Sequence, residues 1–402
     1  MKNQICLYGD KSIAHRLVLL SLIVEQEIQI DNFPNSQDVE TSLNIVKQLG
    51  VKISFDLNNK NKITLVGGLK NKYFTKEITL DCKNSGTTTR LLCGILANLK
   101  GKFKLIGDSS LSCRPMERVV KPLSELMKVN IKCHDGHLPI YIEPNGETKS
   151  INFFNITGSA QVKSAILFAG LASNNKTIVE EKITSRDHTE RLLNYLQLNK
   201  EKRSFSFCIP GDISSAAFFV VASLITSKSL IIKNVLLNTT RIGFINVLKR
   251  MGANIELKIE KDLWEPIGNI YVKGSNLIAT TIKENEIPSL IDELPILAVA
   301  MAFAKGTSKV SGASELRVKE SDRISCLISQ LKIAGVDASE KSDGFEITGP
   351  SCIKSTELNS FNDHRLAMSF AVLGYCSKTN LKIKGKESVN ISFPDFFKVL
   401  KA

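Results

Sequence analysis

Aromatic residues are scarce in this 402-residue chain, at 6%, and no basic run is interleaved with them. A groove for single-stranded nucleic acid needs stacking faces as well as cations, so direct nucleic-acid binding is not expected. The nine cysteines are an odd number, and no two are spaced Cys-x-x-Cys. Neither a zinc knuckle nor a disulfide framework is expected; reduced, mostly buried thiols are. His134-x-x-His137 sits beside Gly136 with no third ligand nearby, so no metal is expected there. Long apolar runs are also missing. Leu17 to Val24 is eight residues with one Ser, too short to span a bilayer, and no charged-apolar-small leader precedes it. The expectation is a cytoplasmic protein. The Gly-x4-Gly-Lys-Ser/Thr spacing of a P-loop is absent, as is any low-complexity linker.

What is present is a repeat. "GDKSIAHRLVLLSLI" (Gly9 to Ile23) returns as "GDISSAAFFVVASLI" (Gly211 to Ile225). The second copy keeps the frame but has Ile213, Ala217 and Phe218 where the first has Lys11, His15 and Arg16. "SSLSCRPMERVVKPLSEL" (Ser109 to Leu126) aligns with "SELRVKESDRISCLISQL" (Ser314 to Leu331), placing Arg118 on Arg323. "SAQVKSAILFAGL" (Ser159 to Leu171) has a weaker partner in "NDHRLAMSFAVLG" (Asn362 to Gly374). Offsets near half the chain length imply two homologous halves. Short β-branched runs such as "ITLDC" and "LIIKNVL" read as strands. "SSAAFFVVASLI", "ELPILAVAMAFA" and similar stretches read as helices with hardly any polar stripe, buried within a layer of sheets. The class is α/β (α+β), with about three β-α-β-type units per half.

The net charge of +13 admits a polyanionic small molecule as well as nucleic acid. Four clusters place cations beside Gly, Ser or Thr at a helix start: "GDKSIAHR", "NSGTTTR", "CRPMER" and "GSAQVK". Ser12 is the expected cap of the first helix, and Thr87 the expected opening of the second. Free N–H groups and the helix dipole favour an anion at such ends. So many clusters argue for more than one anionic group. The second half supplies carboxylates: Asp292 and Glu293 before a buried helix, Glu320 and Asp322 in "LRVKESDR", and Asp363 in "NDHR". Cations keep a carboxylate ionised while burial opposes ionisation, a tension suited to acid–base work.

Taken together, these motifs resemble the 5-enolpyruvylshikimate-3-phosphate synthase family from Gly9 to "SFPDFF" at Ser392 to Phe397. The resemblance implies two similar domains, each of three β-α-β-α-β-β units with helices buried inside sheets. The expected domains are 10–210 and, combined, 1–9 with 211–402, with hinge crossings near 9–10 and 210–211. It implies transfer of the enolpyruvyl group of phosphoenolpyruvate to the 5-hydroxyl of 3-phosphoshikimate, without metal or organic cofactor, by a monomer. By motif, Lys11, Ser12, Arg16, Ser159, Gln161, Arg186, Asp292 and Lys319 are expected to bind 3-phosphoshikimate. Lys11, Gly86, Arg114, Gln161, Arg323 and Arg365 are expected to bind phosphoenolpyruvate. Asp292 matches the proton acceptor, and Glu320 with Lys11 the pair that delivers a proton to the methylene carbon. Ala160 and Ser392 depart from residues common in the family, Ser and Lys. These changes resemble a subgroup less sensitive to glyphosate, but Gly86 leaves room for that inhibitor, so intermediate sensitivity is expected. UDP-N-acetylglucosamine enolpyruvyltransferase is the nearest alternative; it has Cys where Ser109 stands. A nucleic-acid-binding protein of similar repeat fold is the other.

Overall fold

The computed structural model describes residues 3–69, 71–127, 129–144, 150–156, 158–173 and 176–402. It divides into two compact units, one of Gly9–Ile209 and one of Met1–Tyr8 with Pro210–Ala402. These boundaries fall one residue earlier than the crossings expected from the Gly-Asp turns. Among the described residues, no helix is long and apolar enough to cross a membrane.

The Gly9–Ile209 unit holds two four-stranded sheets and one strand pair. The first sheet runs Ser204–Cys208, Glu27–Asp31, Ile63–Val66, Lys52–Phe55; the first two strands are parallel and the rest antiparallel. The second runs Ile78–Asp81, Phe103–Ile106, His137–Glu143, Asn130–His134 in the same pattern. Ile151–Asn155 and Thr177–Glu181 form a parallel pair. The other unit repeats this plan. Its sheets are Gln4–Cys6, Leu230–Leu236, Pro266–Lys273, Asn254–Asp262 and Thr281–Ile282, Gly306–Val310, Gly344–Gly349, Asp337–Lys341, with the pair Glu357–Asn359 and Lys382–Lys384. The third unit of each half therefore pairs only two strands. In the Gly9–Ile209 half, the next strand, Ser204–Cys208, joins the first sheet.

Apolar helices fill the interior, as their missing polar stripe requires. Ile13 to Leu20 are all buried, as are Leu294 to Ala302. Gly94 permits one close approach: a Cβ there would fall 1.9 Å from Ala165 O, on the Ala160–Ser173 helix. The thiols are all free, but Cys6, Cys113, Cys208 and Cys352 are exposed, contrary to the mostly buried set expected.

Aspartates start the repeated helices. Asp10 accepts from Ile13 N at 3.0 Å and Asp212 from Ser215 N at 3.0 Å. Ser12, the expected cap, lies inside the first turn because Asp10 already supplies the acceptor. The Gly86–Leu96 helix opens one residue before the expected Thr87, and Ser85 caps it. Asp10→Ala and Asp212→Ala are each expected to lower unfolding free energy by about 1 kcal/mol or more. Chemical denaturation reads this as an earlier transition, and an unchanged midpoint in either variant counts against the cap.

Candidate active site

In the Gly9–Ile209 unit, side chains tie the first two turns of three helices together. Arg16, only 3% exposed, donates from Nε to Thr189 Oγ1 at 2.8 Å and from Nη2 to Ser164 Oγ at 2.7 Å. Its Nη1 donates to Ser12 O at 2.7 Å. Ser164 belongs to the Ala160–Ser173 helix and Thr189 to His188–Leu198, so one guanidinium joins three elements. Gln161 links the same helix to Gly86–Leu96: it accepts from Arg90 Nη1 at 2.7 Å and donates to Thr87 Oγ1 at 3.0 Å. His15 Nδ1 lies 2.8 Å from Ser42 Oγ, which lies 2.8 Å from Thr88 Oγ1. Thr88 in turn is 2.7 Å from the cap hydroxyl of Ser85. Burial drives the His15 pKa down to about 3. The ring is therefore neutral, and His15 is not one of the cations that its place in "GDKSIAHR" had put it among.

The converging N-termini carry free N–H groups and positive dipole ends, a setting for anions. Lys11, on the first of these turns, hydrogen-bonds Asp38 Oδ2 at 2.7 Å. Gly86 opens the second. A Cβ there would meet Arg90 Nη1 at 2.9 Å and Arg114 Nη1 at 3.5 Å, so two guanidiniums border the bare backbone. Arg114 is held by Asn84 Oδ1 at 2.7 Å, and Asn84 by Asp108 at 2.7 Å. Arg186 is half-buried and directly follows Ser185.

Lys163 had been grouped with these cations on sequence. Instead it is buried between Glu181 Oε2 at 2.7 Å and Glu190 Oε1 at 2.6 Å. Sequence position next to Gln161 gave no sign of this, because Glu181 comes from the preceding strand's parallel partner.

In the Pro210–Ala402 unit the same frame holds carboxylates. Asp292 lies in a 3₁₀ turn, Ile291–Glu293, leading into the buried Leu294–Phe303 helix. Its Oδ1 is 3.6 Å from Arg323 Nη1 and its Oδ2 is 3.7 Å from Arg365 Nη2. Arg365 Nη1 also donates to Asp292 O at 2.9 Å. Arg323, 1% exposed, donates to Asp363 at 2.7 Å and to Glu320 at 2.6 Å. Burial opposes its charge, but Asp363 and Glu320 outweigh this and raise its pKa above the usual arginine value. Asp363 also caps the His364–Ser377 helix, accepting from Arg365 N at 2.9 Å. Glu293 accepts from Ser214, which accepts from Arg241 Nη2 at 3.0 Å. Half-buried Lys319 makes no hydrogen bond or ion pair among the described residues. Burial lowers its pKa below the usual lysine value; Asp292 opposes the shift and Arg323 adds to it. Ser392 Oγ is enclosed without a hydrogen-bond partner among the described residues.

The description "EPSP synthase (3-phosphoshikimate 1-carboxyvinyltransferase)" matches residues 1–400. The chain belongs to the EPSP synthase family. A 3-phosphoshikimate 1-carboxyvinyltransferase of Petrotoga mobilis is 41% identical, with 99% of this chain and 96% of the relative aligned. One of Carboxydothermus hydrogenoformans is also 41% identical, over 100% of this chain and 96% of its own. The solved EPSP synthase of Acinetobacter baumannii superposes with a TM-score of 0.84 at 36% identity, covering 99% of this chain and 94% of that one. The enolpyruvyl transferase NikO of Streptomyces tendae, at 13% identity and a TM-score of 0.77, shares the fold.

Within this EPSP synthase family chain, the Gly9–Ile209 unit contains Lys11, Ser12, Arg16, Gly86, Arg114, Ser159, Gln161 and Arg186. The other contains Asp292, Lys319, Glu320, Arg323 and Arg365. The sequence reading did not single out Asp38, Arg90 or Asn84 as individual side chains. "NSGTTTR" contains Asn84 and Arg90, and the Gly86 backbone between them was the available signal.

Proposed function

We propose that the residues gathered in each unit carry out the reaction for which the family is named. The chain transfers the enolpyruvyl group of phosphoenolpyruvate to the 5-hydroxyl of shikimate 3-phosphate and releases phosphate. The family match over residues 1–400 does not favour the UDP-N-acetylglucosamine or nucleic-acid alternatives. The observation that carries the catalytic assignment is Asp292, with a guanidinium within 4 Å of each of its oxygens.

Each substrate bears one phosphate and one carboxylate. Lys11, Ser12, Arg16, Ser159, Gln161, Arg186 and Lys319 take shikimate 3-phosphate. Gly86, Arg114, Gln161, Arg323 and Arg365 take phosphoenolpyruvate, and Arg90 borders Gly86 on the same side. Asp292 accepts the proton of the 5-hydroxyl as that oxygen bonds to C2 of phosphoenolpyruvate. A proton reaches the methylene carbon from Glu320, aided by Lys11, giving a tetrahedral adduct. Loss of that proton and cleavage of the C2–O bond to phosphate restore the double bond. Arg323 and Arg365 hold the Asp292 carboxylate in place and supply positive potential where anions react.

Phosphate release from shikimate 3-phosphate plus phosphoenolpyruvate tests the reaction directly. Asp292→Asn keeps shape and removes the base, and kcat is expected to fall by about 10²–10⁴. Near-parent turnover in folded Asp292→Asn would sink that role. The lowered Lys319 pKa sets a sign for pH dependence. Lys319 is charged below that pKa and loses its proton earlier than an ordinary lysine as pH rises. The free-enzyme kcat/KM for shikimate 3-phosphate should therefore decline on the alkaline side, and Lys319→Arg should move the decline to higher pH. A pH profile identical in parent and Lys319→Arg removes Lys319 from that site. Gly86→Ala brings a methyl 2.9 Å from Nη1 of the buried Arg90, which is hydrogen-bonded to Gln161 Oε1. The guanidinium gives way, raising the phosphoenolpyruvate KM by about three- to tenfold. Glyphosate, the longer molecule, should weaken further, so its inhibition constant divided by that KM rises. A constant ratio means that Gly86 does not border the inhibitor.

A further inference from the structure

Lys163 is 3% exposed and Glu181 8% by side chain, yet neither is assigned to substrate or catalysis. A buried ion pair is a weak stabiliser, because desolvation offsets much of its attraction. Its geometry has a clearer use. Glu181, the last residue of the Thr177–Glu181 strand, accepts from Ser185 N at 3.0 Å and Ser185 Oγ at 2.6 Å. It also accepts from Asn155 Nδ2 at 2.6 Å. Asn155 Nδ2 in turn donates to Ser159 O at 3.2 Å. Lys163 reaches Ser185 O at 3.4 Å besides Glu181 and Glu190. Burial pushes Glu181 up, but Lys163 and Ser185 outweigh it and leave its pKa below the usual carboxylate value. The carboxylate is thus a fixed four-donor acceptor at the base of two loops. One loop ends at Ser159 and the other continues into Arg186. Lys163 itself sits one half-turn after Gln161 on the helix between them.

We propose that Lys163 and Glu181 are positioning residues for shikimate 3-phosphate, fixing Ser159 and Arg186 relative to one another. The inference rests on the roles given above to those two residues. Both were given to that substrate alone. Arg114, given to phosphoenolpyruvate, is held instead by Asn84 and Ser110.

The test is steady-state phosphate release by the full chain, with each substrate varied in turn. Lys163→Met leaves Glu181 and Glu190 without this cation and removes the donor to Ser185 O. The KM for shikimate 3-phosphate should rise at least about tenfold, as misplaced side chains away from the chemistry produce. The phosphoenolpyruvate KM and kcat at saturation should stay within about twofold. Ser185→Ala removes one hydroxyl and keeps the ion pair, so it serves if Lys163→Met does not fold. Its shikimate 3-phosphate KM should rise about threefold, the loss of one modest hydrogen bond. Folding is read separately from the denaturation midpoint. A lower midpoint with unchanged shikimate 3-phosphate KM in Ser185→Ala overturns the proposal, as does a parallel rise in both KM values. A parent enzyme that releases no phosphate from this substrate pair overturns the reaction assignment itself. Selective loss of shikimate 3-phosphate affinity in an active parent background supports the positioning role alone.

Discussion

A guanidinium removed from water needs acceptors, and each unit buries such groups among its helices. Arg16 is enclosed in the Gly9–Ile209 unit, and its three nitrogens reach three elements. Arg323 is enclosed in the other, held by Asp363 and Glu320. An unsatisfied buried charge would cost several kcal/mol, so these bonds fix helix positions rather than decorate them. The helices then have to meet at their N-terminal ends, because that is where the partners Ser164, Thr189, Asp363 and Glu320 lie. An assembly of positive dipole ends follows from satisfying one side chain.

The two units use that frame differently. Arg16, Arg90 and Arg114 donate to hydroxyl, amide and carbonyl oxygens, which orient a guanidinium without cancelling its charge. Arg323 and Arg365 face Asp363, Glu320, Asp292 and Glu293. The first arrangement leaves those guanidiniums oriented by neutral oxygens. The second sets carboxylates against guanidiniums. Replacement of Lys11 and Arg16 by Ile213 and Phe218 at the repeated positions is consistent with this division: the second copy keeps its Asp212 cap and buries the rest of the first turn's equivalents.

Sequence patterns carried the repeat, the buried helices and nearly all the cationic motifs, since each depends on local spacing or on residue type. What they missed depends on pairing across sequence distance. Lys163 reads as a cation at a helix start until Glu181 and Glu190 are placed against it. His15 reads as a possible charge until burial removes it. Ser12 was a reasonable cap by type and Thr87 a reasonable first residue, yet Asp10 is the cap and Gly86 the opening because each helix starts one or two residues earlier. The two-stranded third sheets were hidden for the same reason: the destination of Ser204–Cys208 is set by Glu27–Asp31, far back in the chain.

That connectivity also orders events during synthesis. Gln4–Cys6 is the edge strand of a sheet whose partner strand, Leu230–Leu236, pairs Ile5 with Ile232. Every residue of the Gly9–Ile209 unit is made between them. At ribosomal speeds of about 5–20 residues per second, Gln4–Cys6 waits roughly ten to forty-five seconds for this neighbour. Throughout that interval its N–H and C=O groups form an open edge, the kind that recruits other chains. In the Gly9–Ile209 unit, Glu27–Asp31 waits similarly for Ser204–Cys208, but it already has Ile63–Val66 on its other side. A strand made before an entire folding unit therefore finds its neighbour only after that unit is complete.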